Sequence, residues 1–406
     1  MYIAILGRQP AIGLAELECV FGSDSVSILS NNVARIDTES FDIERLGGSP
    51  KAGKIVFELE KSDWQKTSQK IIRYYFEKWS DSESKITLGI SAYGFNVSER
   101  EVQKVGILLK NKLKKTGVSL RLVPNDGPAL SSAVSHHNKL GLSPNKLELL
   151  AIKSIDKVII AESVGSQNIT AYAKRDQARP MRDAFVGMLP PKLAQIMINL
   201  TTNEWGVEGR ISHKNKTPNS NGQIPTATIL DPFCGTGVIL QEAALMGYSV
   251  YGTDLSEKMI RYSRDNLNWL AESRRTTFDW FLHEGDAIKT KWRQPIGAVI
   301  SEVYLGQPFS APPSPTKLHE VLSNCNHILT EFLKNLAHQI NPETPICLAV
   351  PAWRDKNGRI THLPVISKIE NLGYKYRKFK NIEHGKLIYY RESQVVAREL
   401  LVITKL

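Results

Sequence analysis

An α/β protein, with a Rossmann-like C-terminal sheet and an N-terminal α+β region, is predicted by three observations. First, an apolar run (Ala227 to Leu230) enters a Gly-rich turn, Asp231-Pro232-Phe233-Cys234-Gly235-Thr236-Gly237, and helical apolar spacing follows at Val238, Ile239, Leu240, Ala243 and Ala244. A second short strand then ends in Asp254, 17 positions after Gly237. This strand–turn–helix–strand–acid order is that of a nucleotide-binding α/β unit. Second, strand and helix patterns alternate from there to the C-terminus. Third, short strands and amphipathic helices precede it in an α+β order.

Composition sets the outer bounds. The 406 residues suffice for two or three domains with their own cores. Apolar content of 42% and charged content of 23% are those of a soluble globular protein, and no apolar run reaches membrane-spanning length. The start, Met1 to Gly7, lacks a basic region before its apolar residues and reads as a first strand. Four scattered cysteines (Cys19, Cys234, Cys325, Cys347) show neither metal-ligand spacing nor a disulfide framework, which points to the cytoplasm and to no metal. A net charge of +11 favours a polyanionic partner.

In chain order, residues 1–72 read as a small ferredoxin-like domain. Strands are expected at 1–6, 26–29, 32–36 and 54–59, with a helix at 12–21. Residues 73–175 form a second α+β block. Its strands are expected at 85–90, 119–122, around 151–152 and at 157–163. Its helix at 99–115 turns Val102, Val105, Leu108, Leu109 and Leu113 inward and Lys104, Lys110, Lys112, Lys114 and Lys115 outward. By charge alone that outer side is a solvated helix face. Adjacent His136 and His137 point about 100° apart on a helix, so they make no metal pair.

Residues 176–225 are expected to be a linker with a helix that starts at Pro190-Pro191, where a missing N–H costs nothing. Leu193, Ile196, Met197 and Leu200 give that helix a buried face. The polar, breaker-rich run 212–223 reads as a loop. The last domain, 226–406, is predicted to carry seven strands, at 226–230, 249–253, 277–282, 298–301, 346–350, 374–380 and 399–404. Helices at 257–271 and 317–339 lie between them.

The turn itself argues against a dinucleotide. Such a site wants a third glycine, here Leu240, and a phosphate over the helix end. Asp231 would repel a pyrophosphate but suits a cationic ligand. The words Asp-Pro-Phe-Cys-Gly-Thr-Gly resemble the first motif of the S-adenosyl-L-methionine (SAM) methyltransferases, in the form that methylates exocyclic amines of bases. Met188-Leu189-Pro190-Pro191-Lys192-Leu193-Ala194, just ahead, resembles the segment that closes over the SAM methionine in tRNA guanosine-N2 methyltransferases. Ser132-Ala133-Val134 before Asn138-Lys139-Leu140 resembles the THUMP domain of RNA-modifying enzymes.

The resemblance is thus to THUMP-containing tRNA guanosine-N2 methyltransferases acting at guanosine 10. It implies a class I SAM-methyltransferase fold, with cofactor contacts at Pro190, Asp231, Pro232, Phe233, Gly235, Thr236, Gly237, Asp254 and Leu255. Asp254 would take the ribose. Asp286 would accept from the adenine amine, or else merely cap a turn. The THUMP likeness makes Lys110, Lys112, Lys114 and Lys115 a candidate phosphate surface, joined by Arg175, Arg179 and Arg182 as an RNA-facing hinge. It also implies a tRNA partner, and it leaves open a small activating protein, as in eukaryotic relatives, with a monomer otherwise.

One motif departs from the family. Amine methylases of this group usually show Asp-Pro-Pro-Tyr at the end of the fourth strand. There the acid and a proline carbonyl accept the amine hydrogens, and the ring stacks on the flipped base. This chain reads Ser301-Glu302-Val303-Tyr304. Without a gap Ser301 takes the acid's place; with a one-residue contraction Glu302 does, which suits the chemistry better. Two other readings stay open: the same chemistry on DNA, rRNA or another tRNA position, and an RNA-binding scaffold with a degenerate methyltransferase domain.

Overall fold

The computed structural model describes residues 1–183, 189–201, 228–309, 311–392 and 394–406. The chain divides into two compact units, Met1–Ala171 and Tyr172–Leu406. The expected loop at 212–223, the expected boundary at 225/226, and Gly187 and Met188 of the covering segment lie outside the described residues.

The first unit is built on one eight-stranded sheet, in the order β2-β3-β1-β4-β8-β7-β5-β6. Its strands are β1 (Tyr2–Ile5), β2 (Val26–Ser30), β3 (Val33–Ile36), β4 (Lys51–Glu60), β5 (Ile86–Tyr93), β6 (Leu120–Leu122), β7 (Lys146–Lys153) and β8 (Lys157–Ser166). Its helices are α1 (Pro10–Phe21), α2 (Trp64–Trp79), α3 (Glu99–Lys114) and the short α4 (Ser132–His137). Strands from both sides of residue 72 share this sheet, because β4 pairs antiparallel with β8 along its length. The expected 72/73 boundary falls inside α2. That helix is absent from the sequence-based expectations, although Asp63 caps it by accepting from the Lys66 N–H.

Helix α3 starts with a capping box, Ser98 and Glu101 each satisfying the other's backbone donor. It buries Val102, Val105, Gly106, Leu109 and Leu113 against the sheet. Leu108, expected on that side, is instead 44% exposed. Position 106 carries the close packing in its place, since a side chain there would run into Leu122.

The second unit holds helices α5 (Ile169–Gln177, which begins in the first unit), α6 (Pro191–Thr201), α7 (Val238–Leu245), α8 (Glu257–Arg274) and α9 (Pro315–Ala337). Its sheet runs β11-β10-β9-β12-β13-β17-β15, with two short strands, β14 (Ile360–Thr361) and β16 (Ile388–Tyr389), paired to β13 and β17. The members are β9 (Thr228–Asp231), β10 (Ser249–Asp254), β11 (Trp280–Glu284), β12 (Ala298–Glu302), β13 (Pro345–Arg354), β15 (Tyr374–Tyr376) and β17 (Val396–Lys405). The first five lie parallel, and β17 and β15 return antiparallel. These seven main strands are the seven that the sequence predicts. Strand β13 is buried along nearly its whole length, as a central strand covered on both faces must be. Leu329, Phe332, Leu333 and Leu336 of α9 pack with Ile346, Leu348 and Val350 of β13 in the core of this unit.

Candidate active site

Sheet order dictates where a ligand can sit. Strands β9, β10 and β11 are laid down in one direction, and the chain then crosses to place β12 on the other side of β9. In open α/β sheets the binding crevice lies beyond the carboxyl ends of the strands at such a switch point. The residues at those ends are Asp231 of β9, Asp254 of β10, and Ser301 and Glu302 of β12.

The turn after β9 is held by neighbours on every side. Gly235 and Gly237 have φ of 51° and 79°, left-handed values at which a side chain would be strained, and a Cβ on Gly237 would come within 2.9 Å of Ser263 Oγ. Ser263 Oγ donates to the Gly235 carbonyl at 2.8 Å, and Asn266 Nδ2 donates to that of Thr236 at 2.9 Å. The same Asn266 amide exchanges two hydrogen bonds with the backbone of Met181, at 3.0 and 2.9 Å, which docks that segment on α8. Thr253 Oγ1 donates to the Pro232 carbonyl, and the Phe233 ring meets Phe332 edge-on at 5.1 Å. Asp254 accepts from the Gly235 and Ser256 N–H groups, both at 2.9 Å. Burial raises its pKa above the ordinary carboxylate value, while these two bonds pull it down. A carboxylate has about four acceptor positions, so two remain for a ligand. Beside it Leu255 is 70% exposed, an apolar side chain at the lip of the crevice.

Asp231 is buried, and its Oδ1 accepts from Ser301 Oγ at 2.6 Å and from the Phe233 N–H at 3.3 Å. Burial pushes its carboxyl up to about 8, the two hydrogen bonds oppose this, and the charges of Asp254 and Glu302 add to it. Ser301, a candidate amine acceptor by sequence, is fully buried, and its hydroxyl donates a hydrogen bond to Asp231. Glu302 accepts from Arg398 Nε, and both side chains are largely buried. Desolvation raises the Glu302 carboxyl and Arg398 opposes it. Its second oxygen has no hydrogen-bond partner among the described residues. Val303 is buried, and its N–H donates to the Ala349 carbonyl at 3.1 Å. Tyr304 next to it, just past the end of β12, is 43% exposed.

Other expected residues fall in different places. Asp286 caps the turn after β11, with Oδ1 accepting from the Ile288 N–H at 3.1 Å. The Pro190 carbonyl accepts from the Leu193 and Ala194 N–H groups, opening a helix α6 that is buried almost throughout. Lys110, Lys112 and Lys114 on α3, and Lys115 directly after it, are all exposed, as expected. Two of the three arginines are corrected. Arg175 makes a two-point ion pair with buried Glu242 of α7, at 2.6 and 3.2 Å, and lies over the Tyr172 ring. Arg179 is 3% exposed, so neither presents its charge outward. Glu242 explains Arg175: an acid inside the apolar α7 needs a cation. Arg182 alone of the three is exposed.

Sequence reasoning missed Ser263, Asn266 and Arg398. The first two left a signal, being polar residues at core positions of amphipathic α8, where burial requires a partner. His136 and His137 sit on α4 with ring centroids 6.4 Å apart, and among the described residues no group of His, Cys, Asp or Glu is arranged to hold a metal. None of the four cysteines forms a disulfide.

With this geometry in hand, the likeness to known proteins is specific. The N6/N4 methyltransferase family, described as DNA methylase, matches residues 49–265, more than half of the chain. The chain belongs to that family. A second family, UPF0020, an RMKL-like methyltransferase domain, matches residues 219–335 of this N6/N4 family member. Curated relatives named tRNA (guanine(10)-N2)-dimethyltransferase occur in three archaea. The one from Methanothermobacter thermautotrophicus is 28% identical over 44% of this chain and 44% of its own. That from Pyrococcus abyssi is 36% identical over 25% of this chain and 23% of its own. That from Methanocaldococcus jannaschii is 24% identical over 63% and 65%. Each match thus spans less than two thirds of the relative's length. Among solved structures, TrmN from Thermus thermophilus has a TM-score of 0.52 at 15% identity, covering 100% of this chain and 99% of that one. A possible methylase from Clostridium difficile 630 has a TM-score of 0.51 at 16% identity, covering 98% and 97%. These likenesses establish the methyltransferase fold.

Proposed function

We propose that the chain transfers a methyl group from SAM to the exocyclic N2 of a guanosine in tRNA, at position 10. The observation that carries this is the pairing, across one switch point, of a glycine turn and the Asp254 that ends β10 with a strand end that offers a carboxylate and, just beyond it, an exposed aromatic ring. The names of the three archaeal relatives favour guanine N2 as the acceptor.

The residues present fit the cofactor. Gly235 and Gly237 give the turn left-handed backbone that carries no side chain, and Asp254 keeps acceptor positions for ribose hydroxyls. When bound, SAM supplies an electrophilic methyl group. The chain's own task is to prepare the other reactant. Guanine N2 is a poor nucleophile because its lone pair conjugates with the ring, so orientation and a preorganised acceptor must do most of the work. Tyr304 would stack on the base, and the second oxygen of Glu302 would accept an amine hydrogen as positive charge develops. The α3 lysines, on a unit we read as ferredoxin-like plus THUMP, and Arg182 would take phosphates.

The test is incubation with isotopically labelled SAM and unmodified tRNA, followed by nucleoside mass spectrometry. N2-methylguanosine supports the reading, and its absence from every tRNA would overturn it. The family description favours DNA as a second substrate, so a duplex DNA arm belongs in the same assay. Turnover by the purified chain alone would remove the need for an activating protein. A cytoplasmic location agrees with four buried thiols that form no disulfide.

A further inference from the structure

The family's acceptor acid is held by two prolines, whose fixed φ stiffens the strand end. Here Val303 alone stands between Glu302 and Tyr304, and it does not restrain the backbone in that way. Something else has to hold the carboxylate. The sheet register shows what does. Glu302 pairs with Ala349 on β13, and Arg398 of β17 pairs with Pro351, two residues further along the same strand. Residues two apart on a strand share a face, so Glu302 and Arg398 reach toward each other over β13. The gap spans two strand spacings, about 10 Å, which a long guanidinium and a glutamate can bridge only over a small residue. Ala349 is that residue, and it is fully buried.

We propose that Arg398 is a positioning residue for Glu302, replacing with an ion pair the rigidity that the missing prolines give elsewhere. The inference rests on the proposed role of Glu302. The guanidinium takes Oε1 and leaves Oε2 without a hydrogen-bond partner among the described residues. Its charge also opposes the desolvation that raises the Glu302 carboxyl. Removing one member of such a pair leaves an uncompensated buried charge. The lost partner would therefore appear as protonation of Glu302 and a free rotamer, with the base surface itself intact.

The experiment combines single-turnover kinetics with direct titration of Glu302 by NMR of carboxyl-labelled protein, in wild type, Arg398→Met and Arg398→Lys. Expected results are a loss of about tenfold or more in kcat for Arg398→Met with KM for tRNA little changed, and partial rescue by Arg398→Lys. The acid limb of the rate profile should move to higher pH, because burial of Glu302 is then unopposed. In a Glu302→Gln background the same Arg398→Met change should cost little further, since the two act as one unit. Unchanged Glu302 titration in a folded Arg398→Met chain would overturn the proposal, as would equal losses in both backgrounds. If wild type methylates no tRNA, the functional reading fails, while the titration still decides whether Arg398 holds Glu302.

Discussion

The two sides of the switch point are built by different means. On the β9 side, the turn and Asp254 lie within 24 residues of one another, held by backbone bonds and by Ser263 and Asn266 of the next helix. On the β12 side, Glu302 depends on a residue 96 positions away that the sheet brings over β13. A ligand pocket of contiguous chain can be read as a motif, whereas one assembled by strand register cannot. The proposed cofactor side is local, and the proposed base side is a product of the whole fold.

Several substitutions separate the two sides. The largest effect is expected on the base side. Glu302→Gln keeps shape but loses the charge that matters as the amine becomes cationic, and turnover should fall on the order of a hundredfold or more with SAM affinity unchanged. Asp254→Ala, on the cofactor side, removes a charge-assisted acceptor and should weaken SAM by about 1.5–3 kcal/mol in calorimetry. Tyr304→Ala should lose base stacking worth about 1–3 kcal/mol, read in tRNA KM and rate together, while Tyr304→Phe keeps most of it. Neutralising Lys110, Lys112, Lys114 and Lys115 should flatten the salt dependence of tRNA binding. The log–log slope should fall by roughly 0.7–0.9 for each phosphate no longer neutralised, with SAM binding unaltered.

The smallest effect concerns stability. Burial holds the folded Asp231 carboxyl at about 8, above its ordinary 3.8. The folded state thus binds this proton more tightly than the unfolded chain does. Stability from this group is full below pH 4 or so, and falls as pH rises toward about 8. Asp231→Asn removes that fall. Its melting temperature relative to wild type should therefore climb between pH 5 and pH 8, by roughly a few degrees. A constant difference across that range would show that the carboxyl is ionised in the folded protein throughout.

Much of this molecule is legible in its residues, and the misreadings have physical causes. Seven strands of the second unit and the turn from Asp231 to Gly237 follow from periodicity and glycine placement. Arg175 and Arg179 mislead because basic residues usually point outward. The counter-signal is Glu242, an acid in the apolar run of α7, which demands a cation inside. Leu108 misleads because Gly106, the residue that packs against the sheet in its stead, carries no side chain to advertise it. Arg398 lies in an apolar C-terminal strand, and nothing local says which strand end it serves. Only the pairing of β12, β13 and β17 does.

The most direct test of a divided site is single-turnover methylation of unmodified tRNA over a range of SAM concentrations, with wild type, Asp254→Ala and Glu302→Gln compared. Asp254→Ala should recover most of the wild-type rate at saturating SAM, because only its hold on the cofactor is impaired. Glu302→Gln should stay on the order of a hundredfold slow at every concentration. Recovery of Glu302→Gln by excess SAM, or a rate for Asp254→Ala that stays low at saturation, would contradict the division.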